Sequence, residues 1–287
     1  LKDKKIIGPW VIEYSLKDGG RIDSLSYNRV ELLTTEPLNF QPPNTDYGEY
    51  ETRPVYGYDD CFPSVDSCSY PNLNWKIPDH GELCWLIWDI KSDANRLIFS
   101  VDSKILPISF TREIQFTDVD LIWIFEVRNK GEKPYPFQHV MHPLMPLSEI
   151  IEIKLPEFDK AFDEISQKDT NLIRPEAVQE FLLNQPTGST NMLFLNNIKN
   201  GIMAWKYQGG LCIEATFSKK MFPSIGIWWN NSGYPAEDNC RRNECALEPT
   251  PGDNSVLSDA FKIGKHLEIH PDKTLNWKIH WRIVNDL

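Results

Sequence analysis

Apolar and polar residues alternate along most of this chain with a period of two, the spacing of a strand buried on one face. The run TLNWKIHWRIV at residues 274–284 sets Leu275, Trp277, Ile279 and Trp281 against Asn276, Lys278, His280 and Arg282, and KHLEIH at 265–270 alternates in the same way. GIMAWKYQGGLCIEATF at 201–217 predicts a hairpin turning at Gly209-Gly210. DLIWIFEVRNKGEKPYPF at 120–137 predicts a strand, a Lys130-Gly131 turn and a proline-broken return. Residues 83–90, 96–103, 111–120 and 224–230 have strand length and β-forming side chains, and Ile22, Leu25 and Tyr27 follow the turn signal Gly19-Gly20. Helical spacing is rare: PEAVQEFLLN at 175–184, with Pro175 suited to a first turn, and a shorter FDKAFDEIS at 158–166. The proline-rich stretch 37–63 predicts long loops, where function tends to sit. Many strands between Pro/Gly turns predict an all-β protein, a large sandwich or barrel. The 287 residues are read as one domain spanning 1–287, near the ~250–300 residues that one core can serve.

Charge and composition narrow the function. A net charge of −11, with no basic run beyond Lys4-Lys5, argues against nucleic acid. No apolar stretch approaches the ~20 residues of a membrane helix. Six cysteines without a CxxC pair do not make a disulfide scaffold. Cys84 and Cys212 read as core residues, and reduced thiols in a cytoplasm are the expectation. Cys240 and Cys245 are the pair to consider if the compartment oxidises. The chain opens on Leu1 rather than Met, so a removed leader is compatible with the sequence. Ten Trp, ten Tyr and fourteen Phe suit either a β-rich core or a carbohydrate site, where a flat ring offers an apolar body.

The segment NECALEPTPG at 243–252 carries the first candidate chemistry. Glu248 follows the apolar Cys245-Ala246-Leu247 and precedes Pro249, so it is either a strand-end residue or a positioned acid or base. Three of the six histidines lie near turns: His80 between Pro78 and Gly81, and His139 and His142 in FQHVMHPLMPL. His266, Glu268 and His270 share one strand face, either a solvated face or a metal trio, and no flanking ligand cluster supports the metal. His139-x-x-His142 is a weak metal pair, and His280 reads as structural. A carboxylate with two imidazoles at strand ends suits proton transfer on a neutral substrate, one group taking a proton and another giving one.

Five segments in order resemble the aldose 1-epimerase (galactose mutarotase) superfamily. They are GGRIDSLSYNRVELL at 19–33, GYDDCFPSVD at 57–66, PDHGELCW at 78–85, FQHVMHPLMPL at 137–147, and IGIWWNNSGYP at 225–235 followed by CALEPTPG. The resemblance implies a single β-sandwich of the supersandwich type with a sugar in an open cleft. It implies Glu248 as general base on the anomeric hydroxyl and His142 as general acid on the ring oxygen. His80 would hydrogen-bond the anomeric or ring oxygen. Ring opening, rotation about C1–C2 and reclosure then exchange the anomers, with a carbohydrate as partner and no metal or cofactor.

The pocket departs from the family's pattern. The Arg-bearing loop of the hexose branch is replaced by Asp66, Ser67 and Cys68, with Arg53 upstream as a possible substitute. The arginine that the sugar-phosphate branch carries after its His-Gly is replaced by Glu82, Leu83 and Cys84, which points to an unphosphorylated sugar. Asp59 and Asp60 either bind sugar hydroxyls or cap a turn. Trp228 and Trp229 face opposite sides of a strand, one toward the core and the other available to stack on sugar. Glu244 is a rival base on the face of Glu248, and Asn230-Asn231-Ser232 is formally a glycosylation sequon. Two other readings share the fold: a non-catalytic carbohydrate-binding protein, and another carbohydrate-active enzyme. A hydrolase would need a second carboxylate from Asp59, Asp60 or Asp66 within roughly 5–9.5 Å of Glu248.

Overall fold

The computed structural model describes residues 2–287, and three antiparallel sheets dominate it. The largest has eight strands in the order Ile150–Lys154, Ile202–Tyr207, Cys212–Phe217, Thr274–Val284, Asp120–Asn129, Ile108–Phe116, Arg96–Asp102, Asp89–Ser92. Alternation explains its central pair: Leu121, Trp123, Phe125 and Val127 are buried opposite Trp277, Ile279 and Trp281. Their rings meet within the layer, Trp123 to Trp281 at 5.5 Å and Phe125 to Trp277 at 5.7 Å between centroids.

The second sheet runs Asp3–Ile7, Trp10–Ser15, Arg21–Tyr27, Tyr58–Cys61, Val140–Pro143, with Val30–Glu31 beside Arg21–Tyr27. It faces the first, Tyr58 stacking on Trp123 at 4.8 Å. The third runs Met145–Pro146, Asn243–Thr250, Ser224–Asn231, Ser189–Asn196, Lys160–Asp163, Lys168–Asp169. Val140–Pro143 ends the second sheet, Met145–Pro146 begins the third, and only Leu144 separates them. The chain thereby sets these two sheets side by side, with Val140–Pro143 packed along Asn243–Thr250. That seam carries the candidate site.

Three sequence expectations are corrected. Residues 83–90 are not one strand: Leu83–Trp85 is a 3-10 turn, and pairing begins only at Asp89. Leu86 and Trp88 are buried, but their backbones bond Gly19 and Leu16 rather than a ladder. The helix expected over 158–166 is instead the strand Lys160–Asp163, recruited by pairing with Leu193–Asn196. The return after Lys130-Gly131 does not pair back on its own strand, because Tyr135–Phe137 pairs with Leu267–Ile269. The helix Pro175–Leu183 forms with Pro175 in its first turn, and a second, Leu257–Lys262, had no clear periodic signal.

Candidate functional site

The two sheets meet through a hydrogen bond. His142 is in the last strand of the second sheet and Glu248 in the second strand of the third. His142 Nδ1 lies 2.5 Å from Glu248 Oε1. Both side chains are nearly buried, at 10% and 4% exposure, yet both line a cleft of about 840 Å³. Gly226 lies opposite Glu248 in the neighbouring strand, and a Cβ there would approach Glu248 Oε2 to 3.4 Å. Glycine thus leaves the second carboxylate oxygen uncrowded. With Nδ1 engaged, Nε2 is the nitrogen of His142 left to address a ligand.

His80 joins this pair from a turn. Its backbone is left-handed, φ 60°, a conformation that costs energy for a non-glycine residue and recurs at functional sites. Gly81 follows at φ 75°, where a Cβ would sit 2.0 Å from the Phe62 carbonyl oxygen. Three contacts fix the imidazole. Asp79 Oδ1 takes Nδ1 at 3.0 Å, the Tyr50 ring stacks on it at 3.7 Å with an 8° tilt, and the His142 ring lies 5.2 Å away at a steep 63° to it. The Tyr50 hydroxyl is in turn anchored to Asp59 at 2.7 Å. Burial works to lower the His80 pKa, but Asp79 outweighs it and holds it above the ordinary histidine value. Asp79 is correspondingly held below the usual carboxylate range by His80, against its own burial.

The cleft runs from these groups along the strand Asn243–Thr250. Glu244 lines its other end and is not free: Arg242 Nε donates to it at 2.8 Å and Trp228 Nε1 at 3.3 Å. Arg242 also grips Glu51 with both terminal nitrogens. Burial opposes the charge on Arg242, and Glu244 and Glu51 more than restore it, raising its pKa. Eight carboxylates line the cleft (Asp46, Glu51, Asp66, Asp79, Glu164, Glu244, Glu248 and Asp259), against the single guanidinium of Arg242 and two imidazoles. Burial pushes Asp66 and Glu164 upward.

The remaining sequence candidates fall in different places. Trp228 lines the cleft, whereas Trp229 is core, 2% exposed. Asp59, Asp60 and Arg53 do not line it; all three are buried beneath it. Asp60 receives Arg112, His139 and the Tyr58 hydroxyl, a polar pin across the two facing sheets. Burial raises its pKa, and Arg112 and His139 win by lowering it. Asp59 serves Tyr50, Arg21 and Arg53, and Arg53 also donates to the Cys84 carbonyl. Both carboxylates are buried against internal cations, away from the cleft lining. Asn230 of the formal sequon is fully buried, its Oδ1 accepting from Gly233 and Tyr234 backbone amides. His270 and Glu268 are 3.6 Å apart on an exposed strand end, and no group of three metal-ligating side chains occurs among the described residues. All six cysteines are free thiols. Sequence reasoning missed Asp79, Tyr50, Arg242, Tyr47 and Tyr234. Only Asp79, adjacent to His80, carried a local signal.

No known family model matches the chain, and no curated protein matches it. Its architecture is nonetheless shared with solved structures over nearly its full length. The Slr1438 protein of Synechocystis sp. PCC 6803 superposes with a TM-score of 0.75 at 15% identity, covering 100% of this chain and 96% of that one. A protein of Escherichia coli K12 named as a candidate aldose 1-epimerase gives 0.71 at 17% identity, with 99% of each chain covered. A galactose mutarotase related enzyme from Lactobacillus acidophilus gives 0.68 at 14%, covering 99% and 97%. The chain therefore has the galactose mutarotase-like fold. At these identities the likeness is one of fold.

Proposed function

We propose that the protein is an aldose 1-epimerase-like enzyme that interconverts the α and β anomers of an unphosphorylated sugar. The observation that carries this reading is the Glu248–His142 hydrogen bond at the floor of the cleft, with His80 beside it. Glu248 takes the proton of the anomeric hydroxyl while His142 protonates the ring oxygen, and the C1–O5 bond breaks. Rotation about C1–C2 presents the other carbonyl face. On closure His142 recovers the proton from O5, and Glu248 returns its proton to O1. The pair ends as it began, so neither a co-reactant nor a cofactor enters the balance. His80, whose charged form Asp79 favours, donates a hydrogen bond to the anomeric or ring oxygen. The charge of the cleft favours an unphosphorylated sugar: the one arginine lining it is already shared by Glu51 and Glu244.

Exchange NMR on a panel of aldoses tests this. Catalysed exchange should fall ~10²–10⁴-fold in Glu248→Gln, the usual contribution of a general acid–base group. Sugar binding without exchange would replace the enzyme with a carbohydrate-binding protein, and release of a glycosidic product would make it a hydrolase.

A further inference from the structure

We propose that the cleft takes a neutral oligosaccharide of at least two units, the reducing-end ring at Glu248 and His142 and the next ring against Tyr234 and Tyr47. This rests on the anomer-exchange reading of the same site. Glu248 and Glu244 both line the cleft and stand four residues apart on one strand, so its floor runs ~13 Å, long enough for two pyranose rings. Its volume of about 840 Å³ is likewise far more than one hexose of about twelve non-hydrogen atoms fills.

Aromatic rings line the cleft wall along the same direction. Trp228 sits two residues along from Gly226, the partner of Glu248, so it comes ~6–7 Å down the cleft from the acid–base pair. Tyr234 meets Trp228 edge to face at 5.7 Å, and Tyr47 meets Tyr234 at 5.2 Å. The three rings form a relay leading away from the reacting carbon, in the direction a glycosidic chain must leave it. Both tyrosines are partly exposed and positioned in advance. Asn230 Oδ1 holds the Tyr234 amide at 2.9 Å, and the Tyr47 hydroxyl accepts from the Ala236 amide at 2.8 Å. Flat rings with polar edges suit the apolar faces of sugars. The neutralised Arg242 offers no free cation to an acidic sugar.

The test compares glucose with maltose, cellobiose and lactose, which all end in glucose, by exchange NMR at the reducing end. At least one disaccharide should exceed glucose in kcat/KM by about tenfold, the scale of one aromatic platform. Tyr47→Ala and Tyr234→Ala should each bring that disaccharide-to-glucose ratio toward unity, and Tyr47→Phe, which keeps the ring but loses its anchor to the Ala236 amide, should lower it less than Tyr47→Ala. Melting curves confirm that the variants fold, and Tyr47, on an exposed turn, is the safer of the two. Glucose used as well as every disaccharide, or a ratio unmoved by both alanine variants, overturns the proposal. If no sugar exchanges, the anomerase reading fails, and calorimetric binding of the same four sugars decides the subsite. Tighter disaccharide binding that weakens in Tyr47→Ala upholds it, and no disaccharide preference overturns it.

Discussion

Replacing Arg242 by methionine should destabilise the protein by about 3–5 kcal/mol, the range for breaking a buried ion pair from one side. The structure places this change at that scale. Glu51 and Glu244 are 6% and 1% exposed, and the guanidinium between them is 18% exposed. Removing the cation leaves two carboxylates facing each other with little water. Partial exposure of Arg242 lets solvent enter and tempers the loss, whereas the double duty of one cation increases it. At ~2–4 °C per kcal/mol for chains of this size, the melting temperature should fall roughly 6–20 °C. Urea denaturation followed by tryptophan fluorescence measures the free energy, and calorimetry measures the temperature. The triple variant Arg242→Met, Glu51→Gln, Glu244→Gln should recover most of the loss, because no uncompensated charge remains. A loss below about 1 kcal/mol in Arg242→Met would refute the reasoning, since that is the behaviour of an exposed pair. So would a triple variant no more stable than the single one.

Asp79→Asn should move the alkaline limb of the exchange-rate profile to lower pH, because Asp79 raises the His80 pKa; a profile that stays in place removes His80 as the proton-bearing donor. The same pair sets a stability window. The His80 contribution is complete below its unfolded pKa of about 6.5 and is lost as pH rises through the raised folded value. The Asp79 contribution is complete above about 3.9 and is lost as pH falls through the depressed folded value. The stability gap between wild type and Asp79→Asn, read from urea midpoints, should therefore peak between about pH 4 and 6.5. Gly81→Ala combines a left-handed backbone with a clash on the Phe62 carbonyl and should cost ~2–4 kcal/mol, with sugar exchange impaired as His80 shifts; unchanged melting would contradict that geometry. Trp229→Ala should cost ~3–5 kcal/mol, as for a core tryptophan, while Trp228→Ala should mainly weaken sugar binding; the reverse order would invert their assignment to core and cleft.

Strands with one buried face were legible, because period-two alternation is the signature of that environment. Thr274–Val284 and the hairpin at Gly209-Gly210 fall where the pattern puts them. Segments with mixed partners were not. Phe158, Ala161, Phe162 and Ile165 are spaced as on a helix, but the free edge of Ser189–Asn196 pairs with Lys160–Asp163 and tertiary pairing overrides the local preference. The apolar run at 83–90 looks like one strand because its residues favour β structure. Yet Ile87 is largely exposed, and the run folds around Gly19 with its own turn.

The site divides along the same line. Glu248, His142 and His80 stand beside proline or glycine at strand ends, and the structure brings them to one cleft. Asp59 and Asp60 carried an equally polar signature and lie beneath the cleft instead. What separates them is the location of their cations. Arg21, Arg53 and Arg112 come from three distant segments, and a carboxylate is withdrawn from solvent only once such partners are in place. Arg242 shows the converse. In sequence it is an ordinary surface arginine beside Arg241. Pairing of Ser224–Asn231 with Asn243–Thr250 brings Trp228 and Glu244 together, and Arg242 then spans from Glu244 to Glu51. The seam between two sheets brings His142 and Glu248 into contact from 106 positions apart, a separation that no local pattern encodes.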